Sequence, residues 1–83
     1  MDYTLSQHAE ATIREREIRT EWIRDTLAAP LAVEPDSDDP QLFHALRPIP
    51  EFGGRVLRVI YNRTRIPPHV VTAYFDRAMK GRL

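Results

Sequence analysis

The residues through which this chain could do chemistry are three histidines, His8, His44 and His69, and a set of arginines weighted toward its second half. Histidine has an unperturbed pKa near 6.5, so it can take up or release a proton at neutral pH. The planar fork of arginine matches the oxygens of a phosphate. Arg16, Arg55, Arg58, Arg63 and Arg65 are the candidate cations, Tyr61 and Tyr74 offer phenol protons or stacking faces, and Thr72 offers a hydroxyl. Cysteine is absent, which removes disulfides, thiolate metal sites and cysteine nucleophiles. Three scattered histidines without cysteine do not make a zinc signature. Asp36-x-Asp38-Asp39 begins like a calcium loop but lacks the glycine and the closing glutamate. Gly53-Gly54 is too short to cradle a phosphate, and no G-x-S-x-G or dinucleotide fingerprint is present. No cofactor and no metal are expected.

The elements that must position these groups can be read from the spacing. The 83 residues suit one small domain. Ser6 reads as an N-cap, and Leu5, Ala9 and Ile13 stand four apart in a first helix running from Gln7 toward Glu17. Thr20 reads as a second N-cap, with Trp22, Ile23, Thr26 and Leu27 at helical spacing until Pro30. Residues 1–30 form the helical layer, 31–76 the sheet and 77–83 a basic tail. Leu31–Val33, Leu42–Arg47, Arg55–Asn62 and His69–Phe75 read as strands joined by short loops, which implies antiparallel neighbours. The expected fold class is α+β, with two N-terminal helices on one face of a three- to four-stranded antiparallel sheet. Alternation places Leu57, Val59 and Tyr61, with Val71, Ala73 and Phe75, against the helices. Arg58, Thr72 and Tyr74 then share the open face, and His44 joins them from the neighbouring strand.

Charge is split along the chain. Residues 1–39 carry four arginines against ten carboxylates, and residues 40–83 carry seven arginines and a lysine against two. That split suits either an anionic partner for one face or attraction between the two halves. Apolar stretches fall far short of the roughly 20 residues of a membrane helix, and the first residues lack a basic and apolar leader pattern. A cytoplasmic protein that does not engage a membrane is the expectation.

The opening Tyr3-x-Leu5-Ser6-x-His8-Ala9, with Arg16-x-Ile18 and Ile23…Leu27…Pro30 behind it, resembles a bacterial domain-of-unknown-function family. Members begin T/S-x-H-A-x-x-R-M-x-x-R-G-I and end in a V-V-T-x-Y strand, here Val70-Val71-Thr72-Ala73-Tyr74. Thr12 stands where that family usually has arginine, and Glu17 where it has glycine. The family in turn resembles the RelE/BrnT-type toxins of toxin–antitoxin pairs. That resemblance implies a RelE-like fold, metal-independent RNA cleavage and inhibition by an antitoxin that covers the basic face. Such cleavage requires a base for the 2′-hydroxyl, an acid for the 5′-oxygen and cations for the phosphorane charge. Arg58 is the phosphate candidate, His8 or His44 the base, and Thr72 or Tyr74 the assisting group. Arg55, Arg63 and Arg65 are candidates for RNA contact. A degenerate toxin that binds a protein or nucleic acid without cutting it is the alternative. The bland readings are a core-edge His8, a structural Arg16 paired with Asp76, and a solvated Arg63–Arg65 hairpin tip.

Overall fold

A computed structural model describes residues 2–83. The chain enters through a two-residue strand, β1 (Thr4–Leu5), and turns at once into α1 (Gln7–Glu15). Ser6 caps that helix as its sequence position predicts, its Oγ accepting from the Ala9 N–H at 3.0 Å. The helix ends earlier than the uninterrupted sequence suggests. The Ile18 N–H returns to the Ile13 carbonyl at 3.0 Å and the Glu17 N–H to that of Arg14 at 3.3 Å. This is a Schellman closure, and Ile13 and Ile18 make its apolar contact inside the core. It forces Glu17 to φ 54°, in the left-handed region.

The second helix, α2 (Thr20–Ala28), starts at the expected cap residue itself, one residue earlier than predicted. Arg19 occupies the N-cap position without a side-chain bond, and Thr20 is already helical. Trp22, Ile23, Thr26 and Leu27 face inward as their spacing predicts. The Thr26 hydroxyl, fully buried, donates back to the Trp22 carbonyl at 2.8 Å.

Beyond Pro30 the chain builds β2 (Ala32–Pro35), β3 (Leu42–Ile49), β4 (Arg55–Asn62) and β5 (His69–Asp76), with 3-10 turns at Pro50–Phe52 and Arg77–Met79. The sheet has five strands in the order β1-β5-β4-β3-β2. It is mixed, which corrects the expectation of three or four antiparallel strands. The strands β2 to β5 are antiparallel neighbours, whereas β1 runs parallel to β5. The two helices carry the chain from one sheet edge to the other, so no hairpin constrains the direction of β1.

The helices cover one face. Ala9, Ile13, Ile18, Trp22, Ile23 and Leu27 pack on Ile49, Leu57, Val59, Val70 and Ala73. The sequence alternation assigned Leu57, Val59, Ala73 and Phe75 to this side, and there they lie. Val71 does not. A register shift between Ile60 and Tyr61 pairs Ile60 with Thr72 and Tyr61 with Val70, so Val70 takes the core position and Val71 is the extra residue of a bulge.

An L-residue in the left-handed region costs roughly 1–2 kcal/mol that glycine avoids, partly offset by the freedom glycine restores to the unfolded chain. Glu17→Gly is therefore expected to stabilise the protein by about 0.5–1 kcal/mol, raising the thermal midpoint by roughly 2–8 °C. A thermal melt of the two proteins checks it, and an unchanged or lowered midpoint refutes it.

Candidate functional site

Arg58 stands mid-strand in β4 between Leu57 and Val59, both fully buried under the helices. Alternation therefore sends its side chain to the opposite face. Its cross-strand partners there are Leu46 on β3 and Tyr74 on β5. The sequence reading placed Arg58 on an open surface. Instead it is only 9% exposed, among Leu46 and Val56, which are buried on the same face.

A buried guanidinium needs anions, and three strands supply its partners. Asp76, at the end of β5, accepts on one oxygen from Nε at 2.9 Å and Nη2 at 2.8 Å. Glu34 on β2 accepts from Nη1 at 2.7 Å. His44 on β3, the cross-strand partner of Glu34, presents Nδ1 to the same Nη1 at 2.8 Å. Burial pulls the Arg58 pKa down, but the hydrogen bonds to Glu34 and Asp76 outweigh it and the pKa is raised. The two carboxylates differ in access. The Asp76 side chain is 18% exposed and that of Glu34 is 51% exposed.

The histidine is held from both sides. Arginine has donors only, so Nδ1 of His44 accepts and the ring proton sits on Nε2. That proton is donated to Asp36 Oδ1 at 2.7 Å. The other Asp36 oxygen accepts from the backbone N–H groups of Asp38 and Asp39 at 3.2 and 3.0 Å. The acidic stretch after β2 is thus an Asx-type turn whose first carboxylate orients a histidine. The hydrogen bond from His44, followed by those from Asp39 and Asp38, holds the Asp36 carboxyl below its ordinary value.

Four sequence-predicted residues therefore share one face. His44 and Arg58 are in contact, Tyr74 stands opposite Arg58, and Thr72 lies two strands from His44 across Ile60. Among the described residues, neither the Thr72 nor the Tyr74 hydroxyl is engaged in a hydrogen bond with another side chain. His8 does not join them. It is exposed on α1, on the far side of the sheet, with Nε2 3.5 Å from the Thr12 hydroxyl. His69 opens β5, its Nδ1 2.7 Å from the Thr4 hydroxyl. Arg55 begins β4 and lies over the Phe52 ring at 4.5 Å. Arg63 and Arg65 sit past the other end of that strand, where Arg63 lies 4.5 Å over Phe43. The three RNA-contact candidates therefore do not form one patch. Arg16 caps the end of α1 and makes no ion pair with Asp76, which Arg58 holds instead.

Sequence reasoning missed the roles of Glu34 and Asp36, and gave Asp76 to Arg16 rather than to Arg58. The first two lie at the start of a proline-flanked acidic stretch that reads as solvated loop. Among the described residues, no group of three metal-ligating side chains converges, and no helix is long and apolar enough to cross a membrane.

Residues 5–75 match the family described as Domain of unknown function (DUF4258). The chain belongs to that family. The match spans the helices, the Arg58–His44–Asp36 chain and Tyr74, and stops one residue short of Asp76. No curated protein and no solved structure matches the chain.

Two outcomes follow from the division of the carboxylates. Asp76→Asn should cost about 2 kcal/mol, because it leaves a buried cation short of its anchor. Glu34→Gln should cost less than about 1 kcal/mol, as exposed pairs do. Urea unfolding of both variants measures the difference, and equal costs would contradict it. The second outcome concerns acid. A carboxyl whose pKa is lowered by folding contributes stability that is present above its ordinary value, 3.8 for Asp36, and lost as pH falls through the lower folded value. The stability gap between wild type and Asp36→Asn should be constant from neutrality to about pH 5 and shrink below about pH 4. A gap that widens in acid would contradict it.

Proposed function

We propose that this protein is a toxin-type, metal-independent RNA endonuclease on a RelE-like fold, with Arg58 as the group that holds the scissile phosphate. The observation that carries this reading is the Nη1 edge of Arg58. It points between a half-exposed carboxylate and the Nδ1 of a histidine, on the face away from the helices. Asp76 fixes the guanidinium through Nε and Nη2, so a phosphate oxygen replacing Glu34 would find Nη1 already aimed. With both Nη1 hydrogens turned to phosphate oxygens, Nδ1 of His44 is free to take the 2′-hydroxyl proton, and Asp36 on Nε2 steadies the imidazolium that forms. The 2′-oxygen bonds to phosphorus, Arg58 bears the charge of the phosphorane, and the 5′-oxygen leaves with the Tyr74 proton. The products are a 2′,3′-cyclic phosphate and a 5′-hydroxyl, with His44 and Tyr74 restored by proton exchange with water. An antitoxin covering this face would inhibit by excluding RNA from Arg58.

A specific observation also favours the binding reading. Three of the five Arg58 N–H donors make hydrogen bonds within the fold and Nη2 lies 2.8 Å from Asp76, so the network is equally a structural clamp of a degenerate, non-cutting protein. Incubating purified protein with single-stranded RNA in EDTA separates the two. The expected result is fragments ending in cyclic phosphate, with Arg58→Ala and His44→Gln each slower by about 100-fold or more. Thermal melts confirm that the variants are folded. Wild type no faster than Arg58→Ala overturns the endonuclease reading and leaves the binder.

A further inference from the structure

Where β4 begins and β5 ends, a cleft of about 430 Å³ opens between Arg16, Phe52, Arg55, Phe75, Arg77 and Lys80, with Asp76 on its wall. That volume lies within the roughly 300–1,000 Å³ of small-molecule sites. Four of its lining residues are cations, brought from the end of α1, the start of β4 and the C-terminal turn. Among the described residues, none of the four has an ion-pair partner. The one carboxylate is already committed, one oxygen to Arg58 and the other to the Ala78 N–H at 3.0 Å. The wall therefore carries uncompensated positive charge.

The same cleft has a flat side. Phe52 stacks on Trp22 and tilts against Phe75, with centroids 5.7 and 4.9 Å apart, which fixes its plane. The Arg55 guanidinium lies 4.5 Å over the Phe52 ring. A guanidinium held over an aromatic ring is a platform on which a base can stack. Cations suit a phosphate and the platform suits a planar base. An inorganic anion would use only the first, and an acidic peptide would leave the second bare.

We infer that this cleft is a nucleotide subsite, with a base stacked at Arg55 and Phe52 and its phosphate among Arg16, Arg77 and Lys80. Asp76 belongs both to this wall and to the anchor of Arg58, so the occupant is a nucleotide adjoining the phosphate at Arg58 in a single RNA strand. The choice of an RNA strand rests on the endonuclease reading, whereas affinity for a nucleotide rests on the cleft alone.

Calorimetric titration of the full chain tests it with adenosine 5′-monophosphate, inorganic phosphate, adenosine and a 2′-O-methylated hexanucleotide that cannot be cleaved. The nucleotide is expected to bind at least tenfold tighter than phosphate or adenosine, and the hexanucleotide tighter still. The Arg55→Gln/Arg77→Gln double variant, with an unchanged thermal midpoint, should weaken both by tenfold or more. Nucleotide no tighter than phosphate, or binding indifferent to the double variant, overturns the subsite. Tighter binding of a polyglutamate peptide than of the hexanucleotide would also overturn it, in favour of an acidic protein partner. A hexanucleotide no tighter than the mononucleotide overturns the assignment to RNA. Because no probe is cut, absence of RNA cleavage would remove the endonuclease reading without touching these results.

Discussion

A single guanidinium sits where a β-sheet would ordinarily place an apolar or a solvated side chain. Charge so far removed from water is tolerable only when paired and hydrogen-bonded, and Arg58 is paired on two sides. Meeting that demand ties together parts of the chain that share no local contact: the end of β5, the edge strand β2 and the turn that follows it. The unequal charge of the two halves is resolved in part here. Glu34 and Asp36 come from the acidic half, and His44 and Arg58 from the basic one. Of the two alternatives the sequence poses, attraction between the halves is what this cation displays, and the proposed anion would bind at the same place.

Much of the fold was legible because its signals are periodic. Ser6 before an i, i+4 apolar stripe, the Trp22–Leu27 spacing and the alternation of β4 each follow from helix or strand geometry alone. What escaped has no period. Tyr3 and Leu5 alternate with polar residues, which fits a short lead-in strand or extended arm, but two paired residues carry no sign of their pairing with β5 or of its parallel sense. The bulge at Val71 exchanges Val70 and Val71 between faces, and two adjacent valines look the same in either register. Arg19 took the cap position over Thr20 because the tight return after α1 sets where the next helix begins.

The candidate site divides the same way. Residues on paired strands could be grouped from alternation, and His44, Arg58, Thr72 and Tyr74 do lie on one face. Their carboxylate partners could not be found so. Glu34 belongs to an edge strand ending in a proline, and Asp36 to a loop whose acidity suggests solvent rather than a histidine. Asp76 was visible as a partner for an arginine, but Arg16 was the arginine expected. Only the register, which sets Asp76 against Val56 two pairs along from Arg58 and on the same face, selects the other. His8, attractive because it opens the helical motif, is separated from the group by the thickness of the sheet.

The unequal access of the two carboxylates gives the network its direction. Were both as enclosed as Asp76, displacing either would leave a buried charge short of a partner, at a cost of about 2 kcal/mol or more, and Arg58 would be a clamp and nothing else. Glu34 is half in water, so its pair with Arg58 contributes at most about 1 kcal/mol and its carboxylate is readily rehydrated on leaving. A phosphate brings a charge-assisted bond of the same kind to the same Nη1, so the exchange is close to neutral in energy. On the proposed reading, a phosphate that takes both Nη1 hydrogens would also free the His44 lone pair. Arrival of the anion and freeing of the base would then be one event, coupling proton abstraction to placement of the phosphate. In that reading the buried carboxylate would keep the cation in place throughout, and the exposed one would yield to the incoming anion.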